Sequence, residues 1–187
     1  KNISSELIGS VKQIQINEAS FSENSIPDSE IIIREDKNGE DIKRYFNGIA
    51  ERYEKSGAFS IKDDETAIVA AALHKQDAHI LETISEHIAV TEKLIQMVRE
   101  IPVPRPLLAF HKKELWHLGQ SRDQYALLKN ADLQDPLYLA AVINLRIETK
   151  KALGEFHRKE IPQWLAKNHL VFSPKEKASL LYSSEIN

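Results

Sequence analysis

The stretch that decides the fold runs from Ser60 to Pro106, SIKDDETAIVAAALHKQDAHILETISEHIAVTEKLIQMVREIPVPRP, and holds neither glycine nor proline before Pro102. One seam reads Leu81, Ile84, Ile88, Thr91, Ile95, Val98. A second reads Leu73, Gln76, Ile80, Thr83, His87, Val90, Leu94, Met97, Ile101. Both alternate steps of three and four, which places their members on one broad helical face. Ser60 to Asp63 has capping-box-like spacing, with a hydroxyl able to accept from a first-turn N–H. The pattern predicts one uninterrupted central helix over at least Asp64 to Glu100, in a segment of about 40 residues and roughly 60 Å at helical rise.

Ile101-Pro102-Val103-Pro104-Arg105-Pro106 ends it, because alternate prolines remove backbone donors and hold their predecessors extended. A rigid extended turn is expected there, with Pro106 opening a helix that runs to about Asn130 on the seam Leu108, His111, Leu115, Leu118, Arg122, Tyr125. Asp135-Pro136 is a cap and first-turn pair for a further helix, whose seam is Tyr138, Val142, Leu145, Thr149, Ala152, Phe156. Pro162 should kink or restart it, leaving a continuation over 163–168. Ser173-Pro174-Lys175-Glu176 is another start signal, for a short helix from Pro174 to Tyr182. Upstream, Asn38 or Asp36 can cap a helix from Gly39 to Ser56, with Gly57 beyond its end and Ile42, Tyr45, Phe46, Ile49 and Tyr53 on one face. Residues 1–37 lack a sustained period and read as a tail or linker, with room for one short strand or helical turn; 38–187 read as the folded domain. Short connections between long helices imply antiparallel neighbours. The expectation is an all-α, elongated antiparallel bundle of about four main helices with a short C-terminal helix. Its core should include Ile84, Ile88, Leu94, Ile95, Val98, Leu115, Leu118, Val142, Leu145 and Phe156.

Composition excludes several chemistries. The chain has 187 residues, no cysteine, six glycines and a net charge of −3. Without cysteine there is no disulfide, thiolate zinc site or thiol nucleophile, and no apolar run is long enough to span a bilayer. Residues 1–100 hold 12 Lys and Arg against 19 Asp and Glu, whereas 101–187 hold 13 against 9. Acidic and basic helices packed side by side account for this split, and a basic face for an anionic partner is the sharper reading. Lys150, Lys151, His157, Arg158 and Lys159 form the densest basic stretch. They spread around the helix without interleaved aromatics, so a solvated surface is expected and no nucleic acid.

Seven histidines raise the question of metal. A di-metal carboxylate site needs Glu-x-x-His on two helices, and Glu114-Leu115-Trp116-His117 is the one copy. His79 with Glu82 and Glu86 reads as a solvated face. The chain has no His-Glu-x-x-His, phosphate loop or Gly-x-Ser-x-Gly elbow. No catalytic residue, metal or cofactor is therefore expected. His111 and Arg122 stand on a helical seam where leucine would be expected. Either each is satisfied locally, or they line a polar pocket for a small ligand. Trp116 and Trp164 are packing residues or, if exposed, anchors for a partner.

Ile42-Lys43-Arg44-Tyr45-Phe46-Asn47, the break at Ile101-Pro102-Val103-Pro104 with His111 after it, Asp135-Pro136-Leu137, and Trp164 to Phe172 follow one another in an order that resembles a family. The family comprises uncharacterised helical, envelope-associated proteins of candidate-phylum bacteria, and the likeness extends over residues 38–182. It departs where Asn often follows the histidine in that group and this chain has Leu115 and Trp116. The resemblance implies an extracytoplasmic location, an N-terminal signal or anchor ahead of Lys1, and a non-enzymatic role through a protein partner or self-association. It transfers no catalytic residue. A closed apolar seam would favour such an interaction domain, and an enclosed polar pocket would favour the rival reading, a small-ligand sensor.

Overall fold

In the computed structural model, which describes residues 26–35, 38–61 and 64–182, the first long helix begins and ends on its sequence signals. Helix α1 spans Gly39–Ser56. The Asn38 side chain accepts from Asp41 N at 2.9 Å, so one of the unpaired first-turn donors is satisfied. Gly57, at φ 90°, closes the other end in the left-handed region that glycine enters freely. Asp36, the other cap candidate, falls outside the described residues.

The uninterrupted central helix does not form. Its segment divides into α2 (Glu65–Lys75), a 3-10 turn at Ala78–Thr83, and α3 (Ile84–Arg99). Backbone and polar side-chain hydrogen bonds make the break without a proline or glycine. Asp77 N bonds Ala72 O at 3.1 Å and Gln76 N bonds Leu73 O at 3.3 Å, the paired closure of a Schellman motif. Gln76 takes the left-handed position at φ 52°. Asp77 Oδ1 then accepts from His79 N at 3.0 Å and caps the next turn. The Ser60–Asp63 capping signal falls partly outside the described residues, and α2 starts instead from Asp64, which accepts from Thr66 N at 2.8 Å.

Beyond Arg99 the chain is extended at β2 (Val103–Pro104) and enters helix α4 (Leu108–Lys129) through a single 3-10 turn. Strand β1 (Ile33–Arg34) pairs with β2 in parallel, Ile33 opposite Val103, and Val103 N donates to Ile32 O at 2.7 Å. Ile26 and Ile31 are buried in the same core. Helix α5 (Pro136–Glu155) is capped by Asp135, whose side chain accepts from Tyr138 N at 2.9 Å. It continues through a π turn at Phe156–Glu160 into α6 (Ile161–Lys167). Pro162 lies in the first turn of α6, where α-helical geometry resumes after the π turn. Helix α7 is shorter than expected, Ala178–Tyr182, although Glu176 does reach back to Ser173 N at 2.6 Å.

Helices dominate the described residues and the sheet is a single two-residue ladder, so the fold class is all-α. Helix α4 packs against α3 on one side and α5 on the other, while α1 packs on α3 and α7. The buried apolar residues form two clusters, which divide within α3 between Ile84 and Leu94. One joins α1, the C-terminal half of α3, the first half of α4, and Phe156, Ile161, Leu165 and Tyr182. The other joins α2 to Leu81, Ile84, Tyr125, Leu128, Leu139 and Val142. Ile84, Leu94, Ile95, Val98, Leu115, Leu118, Val142 and Phe156 are buried as expected. Ile88 and Leu145 are only half-buried, and their neighbours His87 and Arg146 take the inward positions. Among the described residues no helix is long and apolar enough to cross a membrane.

Gln76 tests the break directly. A left-handed backbone costs a side-chain-bearing residue about 1–2 kcal/mol, so Gln76→Gly should raise stability by about 0.5–1 kcal/mol in urea unfolding. In a continuous helix the same change would lower it by about 1 kcal/mol.

Candidate functional site

Two polar centres sit within this apolar frame, and both draw on α4. The first follows from spacing: His111, Glu114 and His117 are three residues apart and share one face, which turns inward. All three are buried. Glu114 is a carboxylate in the core, so it needs donors. Tyr53, from α1, donates its hydroxyl to Glu114 Oε1. His157, on the π turn after α5, places Nε2 at 2.7 Å from Glu114 Oε2. Tyr45, two turns before Tyr53 on α1, shares a hydrogen bond of 3.1 Å with His111 Nδ1. Tyr182, from α7, sets its ring edge-on to His157 at 5.5 Å between centroids. The widened π turn is what brings His157 inward beside Phe156, a frequent use of such turns.

The electrostatics follow from burial and this one carboxylate. Burial alone would raise the Glu114 carboxyl, but attraction from His157, its hydrogen bond and that of Tyr53 outweigh it, and the pKa is lowered. Burial, then the Glu114 charge, raises the Tyr45, Tyr53 and Tyr182 hydroxyls well above their ordinary value. Burial pushes His111 and His117 down to about 4 each, against the opposing pull of Glu114. Neither ring nitrogen of His117, nor Nε2 of His111, has a hydrogen-bond partner among the described residues. Among those residues no group of three or more His, Cys, Asp or Glu is arranged to hold a metal ion.

The second centre is a cleft of about 360 Å³ among α2, α3, α4 and α5. Ala58, Val90, Leu94, Leu118 and Leu153 form its apolar wall, and Glu65, His87, Thr91, Ser121, Tyr125, Arg146 and Lys150 its polar side. Arg146 is buried with its guanidinium 4.4 Å above the Tyr125 ring. It donates to Tyr125 Oη at 2.6 Å and to Ser121 Oγ at 3.2 Å. Glu65 comes within 3.4 Å of Arg146 Nε. Tyr53 also lines this cleft, so one side chain touches both centres.

The sequence candidates separate. His111 lies in the first centre, while Arg122 is half-buried with its guanidinium on the adjacent Asp123, at 2.6 and 2.8 Å. Neither lines the cleft. Trp116 is half-buried against His117, at 4.7 Å between ring centroids. Trp164 is half-buried between Phe46 and Phe110. Sequence reasoning missed Glu65, Arg146, Tyr53 and His157. For the first centre a signal existed, because polar residues at 111, 114 and 117 cannot all avoid one face of a helix. For Arg146 the seam through Val142 and Leu145 pointed to the wrong neighbour.

The two depressed histidines set a pH dependence. Unfolded imidazoles protonate near 6.5, and these do so near 4 in the folded chain. Their contribution is therefore complete above about pH 6.5 and is lost as pH falls toward 4, at roughly 2 kcal/mol per pH unit for the pair. Urea unfolding across that window should show the slope, and His117→Leu should halve it. A flat profile would mean that the imidazoles are not buried as described.

Comparison with known proteins adds no relative: no family model matches the chain, and no curated protein or solved structure does. The resemblance to envelope-associated helical proteins thus gains no support from outside the sequence.

Proposed function

We propose that this chain is a non-enzymatic small-ligand-binding domain, an elongated antiparallel helical bundle whose site is the cleft among α2, α3, α4 and α5. The observation behind this reading is the Glu65–Arg146 pair, two buried charges on the wall of a cavity of about 360 Å³. Buried charges destabilise a fold unless well paired, and an apolar cavity with a few convergent polar groups is the usual form of a ligand site. Both features fit a sensor or carrier. The site differs from the seam around His111 and Arg122 that the sequence suggested.

The rival is a protein-contact domain of the cell envelope. Val171 and Leu180 favour it, as apolar side chains 75% and 76% exposed near the C-terminal end. Single exposed apolar residues are common on protein surfaces, so the cleft is the stronger observation.

Titration with 1-anilinonaphthalene-8-sulfonate, an apolar ring system with one anionic group, separates the two. The cleft reading expects saturable one-to-one fluorescence, weakened roughly tenfold or more by Val90→Trp, which fills the wall, with unchanged circular dichroism. No saturable binding, or binding indifferent to Val90→Trp, would remove the cleft as a ligand site.

A further inference from the structure

Resting on that reading, we infer that the cleft takes a small zwitterion with an apolar side chain, of the kind a free apolar α-amino acid represents. The inference begins with the hydrogen bonds that its polar side does not make. Glu65 is 6% exposed, and its contacts among the described residues are ion pairs at 3.4 Å to Arg146 Nε and 3.6 Å to Lys150 Nζ. Neither is a hydrogen bond: Arg146 Nε has no partner of that kind, and Lys150 stands too far off. A carboxylate accepts at up to about four positions. Glu65 is thus a largely buried carboxylate that accepts no hydrogen bond from a donor among the described residues.

Arg146 cannot turn to supply one. Its plane is fixed over Tyr125, and two of its nitrogens are bonded to Tyr125 and Ser121, so a bidentate pair with Glu65 is out of reach. At the mouth, Lys150 is 59% exposed and 3.6 Å from both Asp64 and Glu65. It is a cation near two anions and bonded to neither. The polar end thus presents, side by side, a carboxylate that accepts no hydrogen bond among the described residues and an exposed ammonium free to donate to a ligand.

Charge decides which ligand meets both needs. Asp64 and Glu65 balance Arg146 and Lys150, so the end is neutral. A simple amine or a simple carboxylate would leave one unit of charge uncompensated in a partly desolvated place. A molecule with an ammonium for Glu65 and a carboxylate for Lys150 brings none. One wall of the cleft, with Leu94 and Leu118, is apolar, and the cleft's volume of about 360 Å³ is near the lower end of ligand cavities. Both properties select a small molecule with an apolar side chain.

The test is displacement of 1-anilinonaphthalene-8-sulfonate from the intact chain by L-leucine and L-phenylalanine, with hexylamine and hexanoate as singly charged counterparts. The amino acids should displace it, and the two counterparts should be weaker by roughly tenfold or more. Glu65→Gln should weaken amino-acid displacement by a similar factor while the fluorophore still binds. Lys150→Gln, at an exposed position, should do the same and serves if Glu65→Gln does not fold. A fluorophore that binds one-to-one but resists both amino acids would overturn the zwitterion and leave the cleft standing. Equal displacement by hexylamine or hexanoate would also overturn it. Absence of fluorophore binding would instead sink the cleft reading itself.

Discussion

Glu114 is the constraint around which the described chain is arranged. A carboxylate 2% exposed is tolerable only if its oxygens are satisfied, and its partners come from distant parts of the sequence. Tyr53 arrives from α1 and His157 from the π turn after α5. Three segments must therefore meet before the charge can be buried, and removing either partner would leave it exposed to a low-dielectric core. A polar bond of this kind specifies more than a Leu–Leu contact would, because it fails completely when the segments meet in another register.

That arrangement explains where the sequence could be read and where it could not. Helix α1 was legible to the residue, because Asn38 and Gly57 are local signals whose chemistry acts over three or four positions. The interruption of the central segment was not. Gln76 and Asp77 are ordinary helix-surface residues in composition, and only their combination with the carbonyls of Ala72 and Leu73 ends the helix. The buried polar residues were legible in part. Periodicity told which face of α4 turns inward, so His111 was singled out, but periodicity does not distinguish Leu145 from Arg146 or Ile88 from His87. Adjacent positions differ by 100° on a helix, and the wide seam of a helix with two neighbours admits either. The Tyr125 ring, Ser121 and Glu65 hold Arg146 inward, and those residues lie on other helices.

The two polar centres are also unequal in kind. Around Glu114 the groups are paired or held neutral by burial, and the imidazoles are enclosed by aromatic rings. Around Glu65 the charges are pinned by other contacts and left short of hydrogen bonds on a wall that opens to solvent. The first resembles a structural lock and the second a socket. Tyr53 touches both, with its hydroxyl committed to the lock.

The π turn has a consequence for the phase of the chain. Up to Phe156 the inward positions step through Val142, Thr149 and Phe156, and an unbroken α-helix would continue them to Glu160, Gln163 and Lys167. Those three are exposed, and the buried set resumes at His157, Ile161 and Leu165. The helix is thus written in two amphipathic frames offset by a single residue, and the wide turn is the splice between them. One residue deleted at the splice would let a regular helix run straight through. Ile161 and Leu165 would then fall on the frame of Val142, Thr149 and Phe156 and stay turned to the core, whereas closing the wide turn without a deletion would rotate them by about 100° away from it. The extra residue thus serves to set His157 inward beside Phe156, and the face of α6 would survive its loss.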